Sequence, residues 1–163
     1  MITEAKVYTA LEDVKDPEIP VISVVDLGVI HNVEIADNER VTVEMTPTFA
    51  GCPAIDAMKS DIYRAMQEQL DLPKERVTVN VLYNQVWTTN KITERGRVIL
   101  KGFGLSPPPE FDGMLTLEVL QNAVCPNCNS NNTFMMSTFG PTACRAIHHC
   151  NNCKETFEQF KPL

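Results

Sequence analysis

The sequence predicts an α+β protein: a small two-layer α/β sandwich in the order αββαβα over residues 1–105, then a small metal-stapled β ribbon over residues 106–163. Three observations predict it. Apolar residues switch between helical and alternating spacing along residues 1–105, the run Pro107-Pro108-Pro109 interrupts the chain, and five of the six cysteines lie beyond that run. Such an element order suits helices on one face of a small sheet. The segment after the prolines holds too few apolar residues to be stable without a staple.

From Thr3 to Asp13, Val7, Ala10, Leu11 and Val14 fall three or four apart, so one helix face is apolar and Thr3 can cap its start. Asp16-Pro17-Glu18-Ile19-Pro20 ends that helix, because proline cannot continue an interior ladder. Val29–Ala36 and Val41–Met45 read as a hairpin turning at Asp37-Asn38-Glu39. Ile55, Met58, Ile62, Met66 and Leu70 recur at helical spacing, which makes the methionines core residues. Val77, Val79 and Val81 alternate as a third strand, and Thr93–Lys101 reads as a short helix stopped at Gly102 or Gly104. Trp87, the sole tryptophan, reads as a cap on the core edge or a partner contact. Ser106–Glu110 is expected to be a semi-rigid spacer and the domain boundary.

A net charge of −7 argues against a nonspecific nucleic-acid binder, which needs basic surface to neutralise phosphates. No apolar run approaches the roughly 20 residues that span a bilayer. The N-terminal residues Met1–Lys6 also lack a basic segment followed by an apolar one, so the expected location is cytoplasmic. In a reducing compartment six cysteines are not disulfide staples. The acidic balance permits a homodimer without arguing for one.

Metal binding accounts for the cysteine-rich tail. Cys125-Pro126-Asn127-Cys128 and Cys150-Asn151-Asn152-Cys153 are two C-x-x-C turns, and together they offer the four thiolates that zinc accepts tetrahedrally. Residues 129–149 between them suit a hairpin, as in a zinc ribbon. Asn129, Asn131 and Asn152 tolerate the tight backbone angles of such turns. Tetrathiolate sites also hold iron or an iron–sulfur cluster, so zinc leads on spacing alone. Cys144 is the additional thiol, and His148 and His149 are expected to be outer residues of the hairpin.

Cys52 stands apart, between a strand and a helix, in Thr46-Pro47-Thr48-Phe49-Ala50-Gly51-Cys52-Pro53. Gly51 can take left-handed backbone angles and Pro53 suits the first helical position. The sulfur would then lie beside a helix start, which favours a thiolate as nucleophile or metal ligand. The alternative reading is a small buried hydrophobe. Asp26 and Glu18 could pair for acid–base work, although acidic residues in a Pro-rich turn ordinarily face water or cap an amide. Outside the cysteines no nucleophile–base pair or phosphate loop is apparent, which points away from an enzyme, with redox or thiol catalysis at Cys52 or Cys144 as the exception.

Asp16-Pro17-Glu18-Ile19-Pro20, Asp26-Leu27-Gly28-Val29 and the Thr46–Pro53 loop together resemble the MIP18 family domain (DUF59) of iron–sulfur assembly factors. With the proline run and four-cysteine tail, the chain resembles the phenylacetate-degradation branch of that family, the PaaD-type accessory components of bacterial phenylacetyl-CoA epoxidases. Phe49-Ala50 stands where the family loop carries Tyr-Ser, which removes two hydroxyls. The resemblance implies a non-catalytic accessory factor that matures the iron or iron–sulfur centres of a ring-epoxidising complex. Its partners would be the oxygenase and reductase components. Cys52, with Asp26 as a lent ligand, would bind iron or a cluster transiently, and Cys125, Cys128, Cys150 and Cys153 would hold a resident metal. A scaffold that docks both components through the ribbon is the alternative.

Overall fold

The structure, a computed structural model, describes residues 1–163. The chain divides into two compact units, Met1–Trp87 and Thr88–Leu163.

In the first unit, α1 (Glu4–Glu12) is capped by Thr3, whose side chain accepts from the Lys6 amide. Strand β1 (Ile30–Ile35) pairs antiparallel with β2 (Val41–Met45), and β2 pairs parallel with β3 (Val77–Val81), giving the order β1-β2-β3. A parallel neighbour requires a crossover, and α2 (Ile55–Leu70) supplies it. Val41, Val43 and Met45 are fully buried while Thr42 and Glu44 between them are partly exposed, so one sheet face is covered. Beneath it lie Val7, Leu11, Met58, Ile62 and Met66, the expected helix faces. Trp87 closes the edge of this core: it is buried, and its Nε1 donates to the Leu27 carbonyl at 3.1 Å.

The second unit begins with a 3-10 turn at Thr89–Lys91 and α3 (Glu94–Gly102), and continues into the short β4 (Leu105–Ser106) and α4 (Leu117–Gln121). Strands β5 (Thr133–Ser137), β6 (Arg145–Cys150) and β7 (Thr156–Phe160) complete a sheet of order β4-β7-β6-β5. The β5–β6 hairpin between the knuckles is the one the spacing predicts.

The unit boundary differs from the expected one. The proline run places residues 88–105 in the first domain, yet Leu105 and Ser106 pair in parallel with Glu158 and Gln159. Thr89 exchanges backbone and hydroxyl bonds with Leu163, and Arg97 donates to the carbonyls of Thr89 and Pro108. A proline run lacks donors, but its carbonyls still accept. The Pro107–Pro109 run is therefore integrated into the second unit instead of spacing two domains. No helix is long and apolar enough to cross a membrane.

Candidate metal centres

The Cys52 loop leaves the end of β2. The Thr46 amide donates to the Val29 carbonyl at 2.8 Å, holding the start of the loop against the end of the preceding segment. Gly51 has φ +84°, a left-handed angle that a Cβ would strain. The Cys52 amide then donates to the Phe49 carbonyl at 3.3 Å. Helix α2 starts at Ile55 with Ala54 as N-cap, so Pro53 precedes the cap instead of taking the first helical position.

The surroundings of the Cys52 sulfur also differ from the expectation. Hydrogen bonds from the Ala54 amide and the Thr48 side chain favour its thiolate, but burial outweighs them and pushes the thiol above its ordinary range. The carboxylates of Asp16 and Glu18 push in the same direction as burial. Cys52 is thus a partly buried thiol, protonated at neutral pH, beside two acidic groups. Asp16 is itself fixed, its Oδ1 accepting from the amides of Glu18 and Ile19 at 2.8 Å each. Asp26 is the carboxylate expected to lend the sulfur a ligand. It is buried and accepts from Ser23 Oγ at 3.1 Å within its own turn. Asp16 and Glu18 lie in the motif that ends α1, and only the chain's return through the Thr46–Cys52 loop brings them to the thiol. The sequence signal that could have found them is the Asp-Pro-Glu motif itself.

The tail cysteines meet. Their four sulfurs lie within 4.8 Å of one another, with Cys125 to Cys153 and Cys128 to Cys150 each at 3.6 Å. The two knuckles are built alike. Cys125 N donates to Ser130 O and Asn129 N to Cys125 O; Cys150 N donates to Glu155 O and Lys154 N to Cys150 O. The left-handed residue stands at the same position in each, Asn129 at φ +59° and Lys154 at φ +67°. Asn152, expected to supply such an angle, instead points its Nδ2 at Cys128 Sγ, 3.5 Å away. Asn151 and Asn132 join the second knuckle to the base of β5 through two bonds of 2.9 Å.

This geometry suits a single tetrahedral ion. Zinc–thiolate bonds of about 2.3 Å place sulfurs roughly 3.8 Å apart, close to the pairs seen here. Thiolate donors are soft and select zinc or iron over magnesium or calcium. The four thiols are unequal. Burial pushes Cys125 up to about 11, whereas the Asn152 amide and the Ser130 N–H hold Cys128 down to about 6. Cys150 is lowered chiefly by the Cys153 amide. Cys125 and Cys150 form the buried wall with Ala123 and Phe157, and Cys128 and Cys153 are half-exposed.

Cys144 is outside this group. It is buried, with its sulfur 3.1 Å from Thr142 Oγ1. His148, expected on the outside of the hairpin, is fully buried and stacks on Phe157 at 5.7 Å between centroids. Burial lowers its pKa. His149 points the other way and meets Phe134 at 5.4 Å.

Residues 4–81, which include Cys52, match the iron–sulfur cluster assembly protein family, and residues 113–161, which include the four clustered cysteines, match the PaaD zinc beta ribbon domain. The chain is 35% identical over 156 residues, 96% of its length, to an Escherichia coli (strain K12) protein provisionally named as a component of 1,2-phenylacetyl-CoA epoxidase, of which 91% is covered. It is 32% identical over 92 residues to the Fe-S protein maturation auxiliary factor YitW of Bacillus subtilis (strain 168), covering 56% of this chain and 86% of that one. The crystal structure of a domain of unknown function DUF59 from Bacillus anthracis superposes with a TM-score of 0.55 at 30% identity, covering 60% of this chain and 90% of that chain.

Proposed function

Because this chain belongs to the family of DUF59-type iron–sulfur assembly proteins that end in a PaaD zinc β ribbon, we propose that it is a non-catalytic, cytoplasmic maturation factor for a multicomponent phenylacetyl-CoA epoxidase. In this reading Cys52 carries iron or an iron–sulfur unit in passing to the oxygenase or reductase component. The ribbon holds one resident zinc on Cys125, Cys128, Cys150 and Cys153.

The observation that carries the reading is the contrast between the two thiol environments. The tail offers four converging sulfurs, a complete tetrahedral set that retains its ion. Cys52 offers a single sulfur, whose remaining ligands would be lent by Asp26 or by the partner, and a metal held by one soft donor of this chain can leave. Its raised thiol pKa makes binding release a proton, so the loaded state is held less tightly at lower pH. The names of related maturation factors also favour an accessory role over catalysis.

The test is co-production of Cys52→Ser with the epoxidase components, followed by iron analysis of the purified complex. Depleted iron with an intact ribbon metal supports the reading. Full iron content sinks it and favours the alternative scaffold role, in which the ribbon docks both components and Cys52 is only packed.

A further inference from the structure

Residues 107–124 run as a strap fixed at its two ends. At the near end Arg97 donates to the Pro108 carbonyl, and Asn90 pairs with the Phe111 backbone, donating to its carbonyl at 2.7 Å and accepting from its amide at 3.3 Å. At the far end Gln159 Nε2 donates to the Asn122 carbonyl at 2.9 Å and Thr133 Oγ1 to the Ala123 carbonyl at 2.6 Å. Between these clamps every residue from 112 to 118 is exposed.

The exposed span is nevertheless apolar. Met114 and Leu117 are 87% and 74% exposed, and Leu115 accompanies them. Thr116 caps α4 by accepting from the Val119 amide at 3.3 Å, yet α4 buries no residue. A helix of one turn is marginal without packing, and contiguous exposed apolar residues mark contact sites on soluble proteins. The clamps pre-order this segment and so lower the entropy lost when it binds.

Charge selects the occupant. No Lys or Arg occurs between Lys101 and Arg145. Of the strap's three acids, Glu110 lies 3.9 Å from Arg97, which leaves Asp112 and Glu118 directed to solvent beside the apolar side chains. A second copy of this chain is the wrong partner: residues 1–87 carry seven Lys and Arg against fifteen Asp and Glu, and residues 88–163 carry seven against six. We propose that residues 112–120 are a docking segment that inserts into an apolar groove rimmed by Lys and Arg on a component of the epoxidase, a deepening that rests on the function proposed above. Met114 and Leu117 anchor it, and Asp112 and Glu118 meet the basic rim.

The test is calorimetric titration of the metal-loaded full chain into the purified oxygenase and reductase components. Leu117→Glu should weaken binding to one of them by at least about tenfold. Glu118→Lys should weaken it most at low salt and flatten its salt dependence. Unchanged metal content and circular dichroism will establish that both variants fold. If the wild-type chain binds but Leu117→Glu binds equally well, the docking segment is overturned while the maturation role stands. If the wild-type chain binds neither component, both fall. A photo-crosslinker at position 117 adds an independent readout: attachment to a groove lined by Lys and Arg supports the assignment, and attachment to a second copy of the chain refutes it.

Discussion

The Asn152 side-chain amide lies 3.5 Å from Cys128 Sγ and donates to it across the gap between the two knuckles. It is the first of the causes that hold this half-exposed thiol down to about 6, and the residue that supplies it is itself beside a ligand of the opposite knuckle. The second knuckle therefore acts on a ligand of the first.

Asn152→Ala should raise the Cys128 thiol and make the metal easier to lose in acid. Thiolate is the metal-binding form, so the pH at which half the metal is released in a chelator competition should move upward. A loss of about 1 kcal/mol, the usual net value of one hydrogen bond, corresponds to about fivefold weaker retention at a fixed acidic pH. Retention identical to wild type across the titration would show that the amide does not tune the site.

Metal removal should affect one unit selectively. The ribbon buries only Ala123, Cys125, Cys150 and Phe157 around the sulfurs, with Cys128 and Cys153 packed against them. Chelation, or Cys150→Ser, should therefore strip hydrogen-exchange protection from β5, β6 and the knuckles. Trp87 reports on the other unit, since it is buried against the Leu27 carbonyl. Its emission should stay that of a buried indole during chelation and shift to the red only when the first unit unfolds. A red shift on chelation would contradict this independence.

Alkylation of Cys52 should speed up when its acidic neighbours are neutralised. Asp16 and Glu18 raise the thiol, so Asp16→Asn combined with Glu18→Gln should lower it and increase the thiolate fraction near pH 8. Asn at position 16 retains an oxygen able to accept from the Glu18 and Ile19 amides, which keeps the turn. Iodoacetamide modification, followed by mass spectrometry at this cysteine, should accelerate about two- to threefold, in keeping with a modest charge effect at a partly exposed group. A slower reaction would mean that the carboxylates assist the thiol.

Trp87→Phe should destabilise the first unit by about 1 kcal/mol, because it keeps the aromatic bulk and leaves the buried Leu27 carbonyl without this donor. Denaturant unfolding followed by far-ultraviolet circular dichroism on the metal-loaded protein measures it. An unchanged midpoint would show that the bond adds nothing net.

Much of this arrangement is legible along the chain because its causes are local. Val7, Ala10 and Leu11 at helical spacing, Val41, Val43 and Met45 in alternation, and the two C-x-x-C turns each carry their own geometry. What could not be read depends on distant partners. Cys52 near a helix start suggests a thiolate; the burial and the carboxylates that reverse this come from the fold around it. The two-residue strand Leu105–Ser106 has no periodicity to detect, and its pairing with Glu158 and Gln159, with the bonds between Thr89 and Leu163, places residues 88–105 in the second unit. The burial of His148, by contrast, is legible after all: it lies two residues before the buried Cys150 on a strand that alternates regularly, so alternation counted back from the knuckle turns its ring inward.

The strand order β4-β7-β6-β5 has a consequence for biosynthesis. The first unit is complete by Trp87, and its parallel pair is joined by the contiguous α2, so it can fold while later residues are still being translated. The second unit cannot. Its interior strand β7 is the last to emerge, and until Thr156–Phe160 arrives, β4 has no neighbour and β6 has one open side. The second knuckle closes only just before β7, at Cys153 and Glu155. Ion capture and sheet closure are thus nearly simultaneous, and a ribosome-bound chain already displays a finished Cys52 loop while its ribbon is still open.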